Sequence, residues 1–511
     1  MHQPAGRAPG GLPPGMNQQA TPAKPFQRGA SMPRVFISAA HKSSGKTTVS
    51  LGLCAALHAR GHEVQPFKKG PDYIDPMWLG LAAGRACYNL DFHMMQREEI
   101  IQRFTEHAHA ARISLIEGNK GLYDGLDLDG SNSNAALAKL LGAPVILVID
   151  ARGMTRGVAP LILGYQAFDP AIRIAGVILN NLGGSRHESK LRAVIEHYTK
   201  VEVIGAVQHD ASLRIAERHL GLVPANEQDA ARQKMQQVGE RIAAQVDLDR
   251  LLAIADSAPD FADECSLDAS AIFDDARRLV AGRRPESGKN ALDLRIAIAR
   301  DQAFGFYYSE DLDTLRASGV ELVPFDALHD SLLPEVDGLI IGGGFPEVFM
   351  NELEANTGLR TDIHEHIEQG LPTYAECGGL MYLSKSLSWQ GQTRQMVGVV
   401  PGEVVMHDRP VGRGYARLQP TGQDTWGESA EIPAHEFHYS SLENLPGDAT
   451  YAYKVTRGHG IDGEHDGYVY RNLLAGYVHR RGTGKLGWIT PFLNQVRRYK
   501  ARAAAKRQHR V

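Results

Sequence analysis

The sequence predicts an α/β protein with two consecutive domains, the first built on a doubly wound, largely parallel sheet and the second on another open α/β sheet. Strands alternate with helical segments in the first half, which is typical of parallel sheets. Each half also contains a strand that passes through a small-residue turn into a helix, in RVFISAAHKSSGKTT from Arg34 and in LPTYAECGGLMYL from Leu371. Open α/β sheets bind ligands at the carboxyl ends of their strands. We therefore expect one site in each domain.

Composition narrows the class of protein. The 511 residues suffice for two cores, and a hydrophobic fraction of 43% with 22% charged residues is ordinary for a globular chain. A net charge of -4 argues against nucleic-acid binding. No apolar stretch is long enough to span a membrane, so we predict no membrane insertion. The four cysteines, at 54, 87, 265 and 377, lack metal-ligand or disulfide spacing, which suits a cytoplasmic protein.

Changes in composition suggest the domain boundaries. Residues 1–31 are rich in Pro, Gly and Gln and are predicted to be a disordered extension, with Met32 as a candidate for the true start. We expect a phosphate-loop domain at 32–254, a linker at 255–291, a second α/β domain at 292–495 and a basic tail or short helix at 496–511.

The first turn fits the phosphate-binding pattern GxxxxGK[ST] with one departure, because Ala40 stands where the first glycine normally lies. Backbone N–H groups at the helix start would cradle phosphates, Lys46 would neutralise the terminal ones, and Thr47 would ligate magnesium. The predicted nucleotide contacts are Gly45, Lys46, Thr47 and Thr48.

Carboxylates follow two neighbouring strands. Glu117 ends the apolar strand RISLIE and is predicted to be the second magnesium contact, with Asp124 either assisting or stabilising a turn. Asp72 and Asp75 in GPDYID lie just beyond another strand. This pair either contacts a ligand or stabilises a turn, and the pattern alone does not separate the two roles.

Cys377 raises a similar choice between a buried apolar residue and a nucleophile. Its position on a strand-to-helix turn favours the nucleophile, because a helix N-terminus stabilises a thiolate. The N–H of Gly378, with one from Gly343 or Gly344, could form an oxyanion hole. A nucleophilic cysteine also needs a base, for which three histidines compete: His435, His438 and His479.

Eight motifs together resemble the cobyrinic acid a,c-diamide synthase family between about residues 34 and 490: HKSSGKTT, PFKKGPDYIDP, LIEGNKGLYDG, GVILNN, ERHLGLVPA, GGGFPE, AECGG and AHEFHYS. The resemblance implies an ATP-dependent synthetase domain similar to dethiobiotin synthetase, joined to a class I glutamine amidotransferase-like domain. It implies amidation of the a and c acetate groups of a corrin-type tetrapyrrole substrate, with ATP and Mg²⁺ required and L-glutamine as the nitrogen donor.

The resemblance also implies roles for individual residues. Lys46 and Thr47 would bind nucleotide and magnesium, and Glu117 would be the second metal ligand. Lys68 would contact the transferring phosphoryl group, while Asp72 and Asp75 would activate the substrate carboxylate. Asn180 or Asn181 would lie at the adenine edge, and His479 would be the base for Cys377. His435, Glu436 and His438 would shape the domain interface or substrate cleft, or have purely structural roles.

One position departs from ordinary class I amidotransferases, which place a glutamate two residues after the catalytic histidine. Arg481 occupies that position here, so the sequence assigns no orienting partner to His479.

Two alternatives to corrin amidation remain open. The same chemistry could act on sirohydrochlorin or siroheme, because HKSSGKTT departs from the glycine-rich loop associated with typical cobyrinate enzymes. A more distant alternative is a nucleotide switch related to partitioning ATPases, against which the intact Cys377 and His479 argue. Whether the chain forms a homodimer is also left open.

Overall fold

The computed structural model describes residues 32–508 apart from 214, 219–220, 228–229, 261–293 and 424–429. The predicted extension at 1–31 and residues 261–291 of the predicted linker lie outside the described residues. The described part of the chain forms two α/β halves, one on each side of residues 261–293.

The first half is built on a seven-stranded parallel sheet with the order β3-β2-β4-β1-β5-β6-β7. Its central strands β1 and β5 are buried along their whole length because helices cover both faces of the sheet. Along the first strand, Val35 and Ile37 pack into one core cluster and Phe36 into the other. The strands are β1 (Arg34–Ala39), β2 (Val64–Lys69), β3 (Tyr88–Leu90), β4 (Ile113–Gly121), β5 (Val145–Asp150), β6 (Ile174–Leu182) and β7 (Val203–Gln208).

Within the described residues of this half, eight α-helices connect and cover the strands. The first of them follows the phosphate-binding turn directly, as the sequence predicts. They are α1 (Lys46–Ala59), α2 (Ile74–Ala83), α3 (Arg97–Ala108), α4 (Asn134–Leu140), α5 (Val158–Phe168), α6 (Ser185–Tyr198), α7 (Ala231–Ala243) and α8 (Leu248–Asp256). The short strands β8 (Glu217–Arg218) and β9 (Gly221–Leu222) pair antiparallel, and 3₁₀ turns occupy Ala211–Leu213 and Ala225–Glu227.

The second half contains a ten-stranded mixed sheet with the order β12-β10-β13-β15-β24-β23-β22-β19-β20-β25. The first five strands in that order are parallel, and the remaining neighbours pair antiparallel. Its strands are β10 (Leu294–Ala299), β12 (Val320–Phe325), β13 (Gly338–Ile341), β15 (Thr373–Glu376), β19 (Gly412–Pro420), β20 (Ile432–His438), β22 (Tyr451–Arg457), β23 (His465–Tyr470), β24 (Leu473–Gly476) and β25 (His479–Arg480).

Two smaller sheets complete this half. One pairs β11 (Phe304–Phe306) with β14 (Gly343–Gly344), and the other joins β16 (Ser384–Trp389), β17 (Gln392–Gln395), β18 (Val400–Met406) and β21 (Ser440–Glu443). The helices are α9 (Ser309–Ala317), α10 (Met350–Ala355), α11 (Thr357–Glu368), α12 (Gly378–Leu383) and α13 (Ile489–Gln508), with a 3₁₀ turn at Pro346–Phe349.

The last helix extends across one of the predicted boundaries. Residues 496–508 continue the helix that begins at Ile489, so the division predicted between residues 495 and 496 lies inside α13. The segment after residue 495 is rich in Ala, Arg and Lys, which are strong helix formers, and it contains no Gly or Pro that would end the helix. Among the described residues, no helix combines the length and apolarity needed to cross a bilayer.

Buried ion pairs join the two halves. Glu310 on α9 accepts hydrogen bonds from Arg103 on α3 and, at 2.7 Å, from Arg481. Arg481 also lies 3.2 Å from Glu99 of the first half. A buried charge is costly unless it is paired, so these contacts favour one arrangement of the halves.

The tight packing of α12 against β13 gives a stability prediction. A Cβ on Gly379 would lie 2.1 Å from the carbonyl oxygen of Ile341, so we expect Gly379→Ala to lower the free energy of unfolding by about 2 kcal/mol or more. Gly164, on an exposed part of α5, has nothing within 4 Å of its Cβ position. Gly164→Ala is the matched control and should raise stability by up to about 1 kcal/mol. Urea unfolding would measure both, and equal stabilities would contradict the packing.

Candidate active sites

The phosphate loop has a geometry that explains its departure from the sequence pattern. Gly45 has φ +79°, and a Cβ there would lie 2.1 Å from the Asn180 side chain, so glycine is required at this position. Ala40 does not have a positive φ, whereas the nearby Ser43 has φ +67°. The backbone at residue 40 therefore does not need glycine. The Asn180 amide donates a 2.9 Å hydrogen bond to the Ser44 carbonyl and fixes the loop.

A buried charge cluster lies directly beneath this loop. Glu117 has no exposed surface and lies 2.5 Å from Lys46, 3.1 Å from Lys68 and 2.8 Å from the Thr47 hydroxyl. Burial alone would raise the pKa of Glu117, but the two ammonium groups outweigh it and lower that pKa to about 2. The carboxylate is therefore ionised at every physiological pH.

The cluster fits a magnesium ion bound together with nucleotide phosphates. The Oε2 atom of Glu117 is buried without a hydrogen-bond partner, and the Thr47 hydroxyl lies 3.5 Å from Asp75. Magnesium typically takes one or two carboxylates, with phosphate oxygens and water as its other ligands. Within the described ranges, no group of three His, Cys, Asp or Glu residues could hold a metal by itself.

Asp72 and Asp75 lie at the edge of the same charge cluster, next to Lys68. The Lys68 ammonium bonds to Asp75 and lies 3.7 Å from Asp72. Burial disfavours the charge of Lys68, yet the surrounding carboxylates hold its pKa well above the ordinary value. Burial and the neighbouring Asp75 raise the pKa of Asp72 to about 6. Asp72 also accepts hydrogen bonds from the N–H groups of Ile74 and Asp75, so it stabilises the turn, while its role toward a ligand stays a prediction.

The other predicted residues of this half occupy defined places. Thr48 is half-buried on the first turn of α1. Asn181, with φ +59°, lies half-buried at the end of β6, 3.3 Å from Asp150. Asp124 accepts a hydrogen bond from the N–H of Gly121 and therefore stabilises the turn after β4.

In the second half, Cys377 occupies a strained turn between β15 and α12. Its φ of +49° and ψ of -103° are unusual for an L-residue, and such strain costs about 1–3 kcal/mol. The N–H of Cys377 donates a 2.7 Å hydrogen bond to Gly476 and holds the turn in place.

The three predicted oxyanion-hole glycines surround this turn. A Cβ on Gly378 would lie 2.9 Å from the backbone nitrogen of Gly344, and a Cβ on Gly343 would lie 2.9 Å from the His479 ring. Any side chain at these two positions would therefore crowd the site.

Glu376 provides the orienting partner that the sequence does not assign to His479. Its Oε2 atom lies 3.3 Å from Nδ1 of His479, and its Oε1 atom accepts a 3.0 Å hydrogen bond from the N–H of Arg480. The Tyr374 hydroxyl also donates to Oε1. Burial disfavours the imidazolium, but hydrogen bonds with Cys377 and Glu376 outweigh it and raise the pKa of His479 to about 10. The sequence signal for Glu376 is its position directly before Cys377, the predicted nucleophile.

The histidines of AHEFHYS have different surroundings. His435 pairs with His479 across β20 and β25, and the two rings are 5.0 Å apart. Burial and the neighbouring His479 hold the pKa of His435 well below its ordinary value, so it stays neutral. Glu436 accepts hydrogen bonds from the N–H groups at 459 and 460, and His438 stacks on Tyr477 at 4.1 Å.

Tyr73 of the first half packs against the site in the second half. It lies in the turn that carries Asp72 and Asp75, yet its ring centre is 5.1 Å from that of His479. It also packs on Tyr308, at 4.5 Å, and lines a cavity of about 20 Å³ that reaches Glu376. The carboxyl ends of the two sheets therefore face each other.

Comparison with known proteins gives matches in both halves. Residues 36–223 match the family model described as CobQ/CobB/MinD/ParA nucleotide binding domain, and residues 295–483 match the CobB/CobQ-like glutamine amidotransferase domain. The chain is 48% identical to a cobyrinate a,c-diamide synthase of Magnetococcus marinus over 90% of this chain and 96% of that protein.

Two archaeal proteins with the same name are similar over nearly as much of the chain. The one from Methanosarcina acetivorans is 42% identical over 88% of this chain and 93% of its own length. The one from Archaeoglobus fulgidus is 40% identical over 88% and 94%.

The contact between Glu376 and His479 predicts a change in titration. Because the carboxylate stabilises the imidazolium, Glu376→Gln should lower the pKa of His479 from about 10 toward its ordinary value near 6.5. NMR titration of histidine-labelled protein would measure the midpoint. Glu368→Gln is the control, because Glu368 pairs with Tyr470 and Arg471 instead. An unchanged midpoint in Glu376→Gln would rule out the interaction.

Proposed function

The chain belongs to the cobyrinate a,c-diamide synthase family, and we propose that it amidates the a and c acetate groups of cobyrinate, a corrin-type tetrapyrrole, in cobalamin biosynthesis. It is an ATP-driven carbon–nitrogen ligase that takes its nitrogen from glutamine. The proposal rests on one contact: Tyr73, in the turn that carries Asp72 and Asp75, packs against His479. This contact brings the phosphate-loop site next to the cysteine–histidine site.

In the second half, Cys377 attacks the amide carbon of glutamine. His479 and Cys377 form the nucleophilic pair, and Glu376 keeps the imidazole in the orientation that its Nδ1 contact defines. The N–H groups of Gly378 and of Gly343 or Gly344 stabilise the oxyanion, a contribution of about 3 kcal/mol for each donor. Ammonia leaves, and water hydrolyses the remaining thioester.

In the first half, a substrate carboxylate attacks the terminal phosphate of ATP, the bond to the β-phosphate breaks, and an acyl phosphate and ADP result. Lys46 and Lys68, both within hydrogen-bonding distance of Glu117, neutralise the charge that develops on the phosphoryl group. Thr47 and Glu117 would hold magnesium, which supplies charge neutralisation at the phosphates. Asp72 and Asp75 orient the substrate carboxylate, and Asn180 or Asn181 reads the adenine.

Ammonia then displaces phosphate from the activated carboxylate. Because protonation would remove its nucleophilicity, a short path sheltered from water favours the reaction. The aromatic contacts of Tyr73 with Phe306 and Tyr308 cover the boundary between the two sites and support such a path.

The setting of the reaction follows from its substrates. We place it in the cytoplasm, where ATP and glutamine are available, and the described cysteines, all free thiols, agree with a reducing compartment. A homodimer stays a prediction from the sequence.

Two variants separate the nitrogen source from the synthetase. Cys377→Ala should lower glutamine-dependent amidation by about 1,000-fold or more, yet keep activity with high ammonium chloride, because only glutamine hydrolysis is lost. Lys46→Ala should lose activity with both donors. Cys87→Ala, at another buried cysteine, is the control and should keep both activities. Equal loss with both donors in Cys377→Ala would refute the two-site assignment.

The substrate is tested by offering cobyrinate, hydrogenobyrinate, sirohydrochlorin and siroheme in parallel with ATP, magnesium and glutamine. Mass spectrometry should detect the addition of two amides to cobyrinate. Amidation of sirohydrochlorin or siroheme alone would replace the corrin proposal with the siroheme alternative while leaving the residue roles intact. ATP hydrolysis without any glutaminase activity would instead favour the partitioning-type switch.

A further inference from the structure

Lys69 is a buried lysine that the proposed mechanism does not use. It is the last residue of β2, directly after Lys68, and only 5% of its surface is exposed. Among the described residues, its ammonium group forms no hydrogen bond and no ion pair within 4.0 Å. The Nζ atom itself is not fully buried, so a negatively charged ligand can reach the end of this otherwise buried side chain.

The side chains of Lys68 and Lys69 lie on different faces of the sheet. Lys68 contacts Asp75 and Glu117 beneath the phosphate loop. Successive side chains of a strand point to opposite faces, so Lys69 points away from that cluster. The nucleotide phosphates are therefore not its natural partner.

Asp91 is the protein's own carboxylate near Lys69, and its oxygens already accept hydrogen bonds from other groups. Asp91 is 1% exposed, and its Oδ1 atom accepts hydrogen bonds from the N–H groups of His93 and Met94 at 2.8 and 2.9 Å. Its Oδ2 atom accepts a hydrogen bond from the hydroxyl of Tyr415, which belongs to the other half.

The charges around Lys69 favour an anion. Burial lowers the pKa of Lys69 to about 8, with Asp91 opposing that shift and the positive charges of Lys120 and Lys68 adding to it. Lys120 is exposed on the last residues of β4, so it extends the positive region from Lys69 outward to solvent. Tyr415, which bonds to Asp91, also stacks on the ring of His93 at 4.4 Å.

We propose that Lys69 binds a carboxylate on the rim of the substrate macrocycle, other than the one being amidated. The inference rests on the proposed function, since a corrin carries several acetate and propionate groups around its edge. When one acetate reaches Asp72, a second carboxylate lies against Lys69, three residues earlier in the chain. The contact fixes the rotation of the ring and so selects the acetate that reacts. Lys69 is thus a specificity-determining residue of the synthetase site.

The test compares macrocycle binding by the wild type, Lys69→Met and Lys69→Gln. Loss of a charge-assisted hydrogen bond should weaken binding of cobyrinate about 10- to 100-fold, measured by titration of its visible absorbance without ATP. The KM for cobyrinate should rise similarly, while the KM values for ATP and glutamine and the glutaminase rate stay unchanged. Lys139→Met is the control, because Lys139 pairs with Asp169 at the surface.

A second ligand distinguishes a carboxylate contact from a structural role. Cobyrinate with its carboxylates methyl-esterified should bind the wild type and both variants equally, because the partner of Lys69 is gone. An equal loss for the ester and the acid would overturn the proposal, as would unchanged cobyrinate affinity or a rise in the KM for ATP instead. Failure of the proposed function is distinct, since the wild type itself would then neither bind nor amidate cobyrinate.

Discussion

The contact between Tyr73 and His479 fixes how the two sheets meet. Tyr73 lies between the two aspartates of the first site, so the backbone turn that positions them also carries the ring that packs on the imidazole of the second site. Burial of Tyr73, Phe306 and Tyr308 in one apolar cluster makes the core continuous across the boundary between the halves. Burial of aromatic side chains contributes strongly to packing energy, which favours this arrangement over separated halves.

Both sites use buried charge, and each compensates it locally. Glu117 is balanced by Lys46 and Lys68, and His479 by Glu376. Burial disfavours the charges of Glu117, Lys68 and His479, and their partners outweigh that effect because they lie within hydrogen-bonding distance. The same physical balance therefore keeps a carboxylate ionised in one half and an imidazole protonated in the other.

Sequence patterns predict the local features of both sites well, because strand–turn–helix units are encoded within about twenty residues. The phosphate loop and the Cys377 turn therefore lie in the predicted elements. Glu376 is different, since its partner His479 is 103 residues away and the pairing depends on β15 lying beside β24. The antiparallel strands after residue 400 likewise depend on tertiary packing. The length of α13 depends on the absence of a stop signal.

The replacement of the usual glutamate by Arg481 has a consequence for how this protein could evolve. Arg481 and Glu310 belong to the second half, and each also pairs with a residue of the first half, Glu99 and Arg103. If a gene split separated the two halves into independent polypeptides, both pairings would be broken and charged groups would face water until the chains met again. In one continuous polypeptide the two halves stay at a high effective concentration, so these pairs re-form within the chain and do not require a second chain to associate.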